Sequence, residues 1–300
     1  MRVRVRRAGG GVVVEVCGKT YAIDRAEGVK ADYHIISHAH SDHVPRAPAG
    51  KVVASEETLS LLSWGHGRAS EAEGVELLDS GHILGSRAAL IEGEVLYTGD
   101  FSLTSRLFMR GFKPPRARIM IMEATYGDPR FKFGDFRSVA AEAVRLVREL
   151  LNEGRNVVAV GYSLGKAQIL TRLFSWYDNL YVTRRVKAYN DVYARWGVDL
   201  GAEPGEMRGR PREPFILIGH ERSPEVRVAM ERLGAVPVRF TGWAAVYGGE
   251  RDMPLSDHAD FYDLLRAVDR VSPEKIYVAY GFTRKFAEIL RGLGYDAEPL

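Results

Sequence analysis

The sequence predicts an α/β protein in which a strand-rich part receives an inserted α/β unit, and three observations carry that reading. The first hundred residues hold short apolar runs separated by glycine and few helical patterns. From Asp135 onward strand-like and helix-like stretches alternate, and after Met253 the chain resumes with a helix, a strand and a helix. Three hundred residues with 46% hydrophobic content suffice for one large or two smaller cores.

Each element follows from local pattern. Residues 2–7 alternate basic and apolar side chains like an exposed strand, and strands are expected at 11–17, 19–24, 32–37 and 51–54. A helix beginning near Ser55 precedes strands at 75–78, 87–92, 94–98 and 118–123. Val139, Ala143, Leu146, Val147 and Leu150 then form the apolar stripe of a helix that stops before Gly154. Strands at 156–161, 180–183, 214–219 and 236–240 alternate with helices at 164–177, 187–196 and 223–233, the order of a parallel sheet. A helix at 260–268, a strand at 275–280 and a helix at 284–293 close the chain. Residues 128–250 thus read as an insert between 1–127 and 251–300.

Composition excludes several classes. The single cysteine, Cys17, rules out a disulfide framework and a cysteine-based zinc finger and fits a reducing compartment. No apolar stretch is long enough for a signal peptide or a membrane span, so a cytoplasmic protein without membrane attachment is expected. The net charge of +3 is too small to announce a nucleic-acid partner, although the basic surplus lies in the 128–250 stretch. Arginine far outnumbers lysine, which favours bidentate phosphate contacts and is equally a mark of genome composition or adaptation to heat.

The chemistry concentrates in His38-Ala39-His40-Ser41-Asp42-His43, which holds three of the eight histidines directly after an apolar strand. Residues at i and i+2 on extended chain point the same way, so His38 and His40 can grip one ion while Asp42 and His43 face a second. Imidazole and carboxylate without a nearby cysteine suit zinc or a similar divalent ion in a catalytic site. His82 sits in a glycine-bracketed turn, and Asp100 ends Leu96-Tyr97-Thr98-Gly99-Asp100, where a carboxylate can bridge two ions. Taken singly, a turn histidine has other uses and a loop aspartate caps helices.

Together these spacings resemble the metallo-β-lactamase superfamily. The resemblance implies a sandwich of two sheets flanked by helices, the αββα arrangement, and a dinuclear zinc site with His38, His40 and His82 on one ion, Asp42 and His43 on the other, and Asp100 between them. Asp24 matches the superfamily's early structural aspartate. Glu123-Ala124-Thr125-Tyr126-Gly127 resembles the acidic first motif of the β-CASP nucleases and Leu255-Ser256-Asp257-His258-Ala259-Asp260 their second, with an α/β domain inserted between the two. The chain is most similar to the compact exonucleases of this superfamily described as DNA ligase-associated, and a DNA ligase or helicase partner is implied on that ground alone. The resemblance assigns 1–127 and 251–300 to a metallo-β-lactamase core and 128–250 to a β-CASP-like domain.

Two cations acidify water and neutralise charge that builds on a phosphoryl group, which phosphodiester hydrolysis requires. His258, oriented by Glu123, is suited to protonate the leaving oxygen, with a helix-entry residue as its ordinary role. Asp42, Glu123 and His258 are therefore the catalytic candidates. The 161–168 stretch resembles the strand-to-helix turn of the β-CASP domain, and Ser163 and Lys166 there, with Arg184 and Arg185, are the nucleic-acid-binding candidates. A helix cap with a solvated lysine is the alternative for Lys166.

One position departs from the pattern. RNA-acting β-CASP relatives carry a third-motif histidine where this chain has Tyr280, and a neutral phenol is a poor zinc ligand, so a weaker second ion is expected, with manganese an option. Artemis-like DNA nucleases also lack that histidine. The reading is a metal-dependent nuclease, an exonuclease on single-stranded DNA serving DNA repair. The alternatives are an RNase of mRNA 3′-end processing or RNA turnover, a small-molecule hydrolase of thioesters or lactams, and a catalytically silent nucleic-acid-binding subunit.

Overall fold

The computed structural model describes residues 3–62 and 72–300. The chain divides into two units, Met1–Ser105 with Met109–Pro129 and His258–Leu300, and Arg106–Phe108 with Arg130–Asp257. The first unit opens with β1 (Arg4–Ala8), β2 (Gly11–Val16), β3 (Lys19–Ile23), β4 (Tyr33–Ile35) and β5 (Lys51–Val53), which form a sheet in that order. Residue 2 of the expected first strand lies outside the described residues. The first three strands pair antiparallel, and β3, β4 and β5 run parallel. After α1 (Glu56–Leu61) come β6 (Val75–Asp79), β7 (Arg87–Ile91), β8 (Val95–Tyr97) and β9 (Ile119–Ala124).

The second unit holds α2 (Phe136–Asn152), β10 (Val157–Val160), α3 (Lys166–Leu173), β11 (Leu180–Val182), α4 (Arg184–Arg195), β12 (Gly205–Glu206), β13 (Ile216–Gly219), α5 (Pro224–Arg232), β14 (Val236–Phe240), α6 (Ala244–Tyr247) and β15 (Asp252–Met253). Asp135 starts α2 by accepting the Ser138 N–H at 3.0 Å. The strands form one parallel sheet in the order β12-β11-β13-β10-β14-β15. Val157, Ala159, Ile216 and Ile218 face α2, α3 and α4, while Val158, Val160 and Leu217 face α5.

The chain then returns to the first unit through α7 (Phe261–Val271), β16 (Lys275–Gly281), α8 (Thr283–Gly292) and β17 (Ala297–Pro299), giving a second sheet ordered β17-β16-β9-β8-β7-β6. The two sheets of this unit lie face to face: Val12, Val14, Tyr21, Ile23 and Ile35 pack on Ile91, Tyr97, Ile119, Ile121 and Ala279. The other face of the second sheet, through Leu96, Met120, Met122, Ile276 and Val278, is covered by Leu264 and Val268 of α7 and Phe286 and Leu290 of α8. The protein is therefore mixed α/β, with three sheets among the described residues. No described helix is long and apolar enough to cross a membrane.

Candidate metal centre

Strand direction gathers the site. In the second sheet β7 runs against β6 and β8, whereas β8, β9 and β16 run parallel, so β6, β8 and β9 all end at one edge. His82 follows β6, Asp100 follows β8, and Glu123 is the penultimate residue of β9. From the facing sheet, the chain leaves β4 through Ile36, whose N–H donates to the Val53 carbonyl at 2.9 Å, and delivers His38 to His43. Two glycines make the approach possible. Gly81 has φ +71°, and a Cβ there would stand 2.6 Å from the Arg110 carbonyl oxygen. Gly99 has φ +56° and leaves the Asp100 turn lying against Ser37, whose Cβ would be 2.8 Å from an added Cβ.

The donor atoms of His38, His40, His82 and Asp100 all lie within 4.8 Å of one another. His40 Nδ1 is 3.2 Å from His38 Nε2 and 3.1 Å from His82 Nε2. Asp100 Oδ2 is 3.4 Å from His38 Nε2 and 3.7 Å from His82 Nε2. Four donors about 2.0–2.1 Å from a tetrahedral zinc stand about 3.3–3.4 Å apart, so this set fits the ion. His43 Nε2 approaches the same carboxylate at 3.5 Å, and Asp42 Oδ2 lies 4.0 Å from His43 Nε2. Asp100 thus faces two imidazoles of the cluster, His38 and His82, and also His43, while Asp42 and His43 fall outside the four-donor group.

Beneath the donors, Asp24 orders two of them. Its fully buried carboxylate accepts the Ser37 N–H at 2.7 Å, the Ser37 hydroxyl at 2.8 Å, His43 Nδ1–H at 2.7 Å and the Tyr97 hydroxyl. Since Ser37 gives its proton to Asp24, its oxygen accepts from His38 Nδ1 at 2.9 Å. Both imidazoles therefore turn Nε2 toward the cluster, which is how second partners prepare metal ligands. His34 fixes Asp24 from behind: the Ala49 N–H donates to its Nδ1 at 2.8 Å, so Nε2–H donates to the Asp24 carbonyl at 2.6 Å.

Burial opposes ionisation of Asp24, but His43, His38 and Tyr97 outweigh it and hold the carboxyl below its ordinary range. For His43 burial works against the charged form, yet Asp100, Asp24 and Asp42 push its pKa up to about 10 in the metal-free chain. Loading a cation beside it therefore displaces a proton. Ser37→Ala removes the support of His38 while leaving every cluster donor present. Zinc affinity is expected to fall about 10- to 100-fold, measured by competition with a chromogenic chelator.

A second pair flanks Asp100. Glu123, buried at the end of β9, accepts the Phe101 N–H at 2.9 Å and the Thr125 N–H at 3.3 Å. Its two oxygens lie 3.0 and 3.1 Å from His258 Nδ1. That contact leaves His258 Nε2 directed toward Asp100, 3.9 Å from Oδ2. Tyr280 is opposite Glu123 in the β9–β16 ladder, just past a register shift after Val278. Its hydroxyl meets that of Tyr97 at 3.1 Å, and since Tyr97 donates to Asp24, Tyr280 is the donor. Burial raises the Tyr280 pKa, so the phenol stays neutral and belongs to the Asp24 network.

The nucleic-acid candidates lie in the second unit, and one needs correction. Lys166 is not a solvated or phosphate-facing cation: it is 2% exposed, with Nζ donating to the Leu255 carbonyl at 2.7 Å and paired with Asp257 at 3.0 Å. The Gly165 N–H is likewise engaged, by Gln168 Oε1 at 2.7 Å. Ser163 is half-buried in the turn after β10. Arg184 and Arg185 are exposed in the first turn of α4, which starts at Arg184 and not at the expected Lys187. Sequence reasoning missed Ser37 and Tyr97. Ser37 stands beside the histidine block, a usable signal, whereas nothing local marks Tyr97.

No family model matches the chain. It is 32% identical over 295 residues to a protein of Opitutus terrae named "Probable DNA ligase", a match covering 87% of this chain and 28% of that one. It is 24% identical over 240 residues to the DNA cross-link repair protein SNM1 of Arabidopsis thaliana, covering 67% of this chain and 47% of that protein. With the transcription termination factor FttA of a Lokiarchaeum species it shares 30% identity over 122 residues, 38% of this chain and 19% of the other. The chain thus spans less than half the length of each of these relatives. A crystal structure of an Enterococcus faecalis V583 protein of unknown function matches 99% of this chain and 97% of its own with a TM-score of 0.64 at 12% identity, a shared fold.

Proposed function

We propose that the chain is a metal-dependent nuclease that hydrolyses phosphodiester bonds, acting as an exonuclease on single-stranded DNA. In this reading the first unit forms a metallo-β-lactamase core of αββα type and the second a β-CASP-like insert. The observation that carries it is the convergence of His38, His40, His82 and Asp100 at separations suited to one divalent ion, with the Glu123–His258 pair beside them. The relatives named for DNA cross-link repair and transcription termination support a nucleic-acid substrate. The relative named for DNA ligation supports a role beside a ligase.

His38, His40, His82 and Asp100 would hold a first zinc, and His43, Asp42 and Asp100 a second. With Tyr280 committed to Tyr97, the second ion has fewer protein donors and exchanges more readily, with manganese able to replace it. When bound, such ions supply Lewis acidity that polarises a phosphodiester and acidifies water. Asp24 holds His43 and, through Ser37, His38 in the tautomers that cation binding needs. Glu123 keeps the proton of His258 on Nδ1 and stabilises the imidazolium, so that Nε2 can hold a proton for the leaving oxygen. Exposed Arg184 and Arg185 are the phosphate contacts retained from the sequence.

Digestion of end-labelled single-stranded DNA and RNA of one sequence, with zinc or manganese, tests the reading. Stepwise shortening of the DNA is expected, at a rate above that of the RNA. The similarity to FttA favours the RNA reading, and preferential RNA cleavage would select it.

A further inference from the structure

The parallel sheet of the second unit contains a topological switch point, the place where sheets of this kind take ligands. From β10 the chain passes through α3 to β11, and from the neighbouring β13 through α5 to β14, so the two connections leave adjacent strands in opposite directions. The core packing agrees, because α3 buries its residues against one face of the sheet and α5 against the other. Such a switch point opens a crevice beyond the carboxyl ends of the two strands.

Here β10 leads into Tyr162 and β13 into His220. The Gly161 N–H donates to the Gly219 carbonyl at 3.0 Å and holds the two strand ends together. Tyr162 is 62% exposed, and its ring lies 5.8 Å from that of His220, tilted by 37°. A tyrosine so exposed contributes little to folding. Burial lowers the pKa of His220, and Arg222 and Arg185 lower it further, so both guanidinium groups act on this spot. Among the described residues neither arginine forms a salt bridge; the Arg185 side chain meets only the Tyr189 ring and hydroxyl, and it is the backbone N–H of Arg222 that donates to His220 Nδ1 at 3.1 Å. The neighbouring carboxylates are engaged elsewhere, Glu221 with Arg239 at 2.8 Å and Glu225 with the Arg184 N–H at 3.1 Å.

We propose that this crevice binds one nucleotide unit, its base against Tyr162 and His220 and its phosphate on Arg185 and Arg222. Aromatic faces beside uncommitted arginines bind nucleotides without sequence preference. The proposal rests on the nucleic-acid reading only for the source of the nucleotide, a strand or a free mononucleotide.

The test is binding by the full chain in EDTA, where no cleavage is expected, with fluorescein-labelled dT12 followed by anisotropy and thymidine monophosphate by calorimetry. Tyr162→Ala and Arg222→Gln are each expected to weaken dT12 binding about 5- to 100-fold with unchanged thermal melting. Equal losses for the mononucleotide identify the free nucleotide as a ligand; losses for dT12 alone identify the strand. Unchanged affinities in both variants, or no binding of either probe to the parent chain, would overturn the proposal. Because cleavage is not read, a chain that digests DNA with unaltered binding in both variants sinks this crevice and leaves the nuclease reading standing.

Discussion

Asp42→Asn is expected to lower phosphodiester cleavage by at least about 10²- to 10³-fold, the scale of losing a charged group that acts in the transition state. The fold should not notice. The Asp42 side chain is 78% exposed, and its one ion-type contact among the described residues is His43 Nε2 at 4.0 Å. An exposed substitution of that kind changes stability by about 0.5 kcal/mol or less. Asparagine keeps the shape and removes the charge, so second-ion affinity and rate should fall together while the melting temperature stays put. Steady-state cleavage of an oligonucleotide, with metal content measured on the same sample, reads both. Parental activity in this variant would remove Asp42 and His43 from the site.

His258→Ala is expected to lower the turnover rate about 10²- to 10⁴-fold, the usual worth of a positioned proton donor, with bound metal unchanged. His258 is not one of the four converging donors, and its Nδ1 is taken by Glu123 at 3.0 Å. Glu123→Gln should act in the same direction through a different route. A neutral amide cannot stabilise the His258 imidazolium, so the high-pH limb of the pH–rate profile, where the proton donor loses its proton, should move to lower pH. Glu123 also accepts the Phe101 and Thr125 N–H groups, and glutamine retains an oxygen for one of them. A substrate whose leaving group needs no proton, such as bis-p-nitrophenyl phosphate, should be far less sensitive to His258→Ala than an oligonucleotide. Full turnover in both variants would instead favour a thioester or lactam hydrolase.

The strands that carry the site were legible because each has a local signature. The apolar run before His38 ends in a strand at Tyr33–Ile35, and the expected strands at 19–24 and 118–123 appear as Lys19–Ile23 and Ile119–Ala124. Short pieces were not: Gly205–Glu206 and Asp252–Met253 are strands only because they pair with longer neighbours. The supporting network is illegible for the same reason. Tyr97 reaches Asp24 across 73 positions of sequence and Tyr280 reaches Tyr97 across 183, and nothing in either local sequence encodes such a meeting. Lys166 misleads in another way. A Gly-Lys pair at a helix start reads as a phosphate cradle, but only tertiary structure reveals that Asp257 waits for the ammonium inside. Burial lowers the lysine pKa and Asp257 works against that, the pattern of an internal ion pair.

The central claim, that these imidazoles and carboxylates hold divalent cations, is tested most directly by anomalous X-ray scattering from crystals grown with zinc. A strong zinc peak enclosed by His38, His40, His82 and Asp100 is expected, with a weaker one beside His43 and Asp42. Zinc bound only elsewhere, or no zinc with the cluster intact, would contradict it.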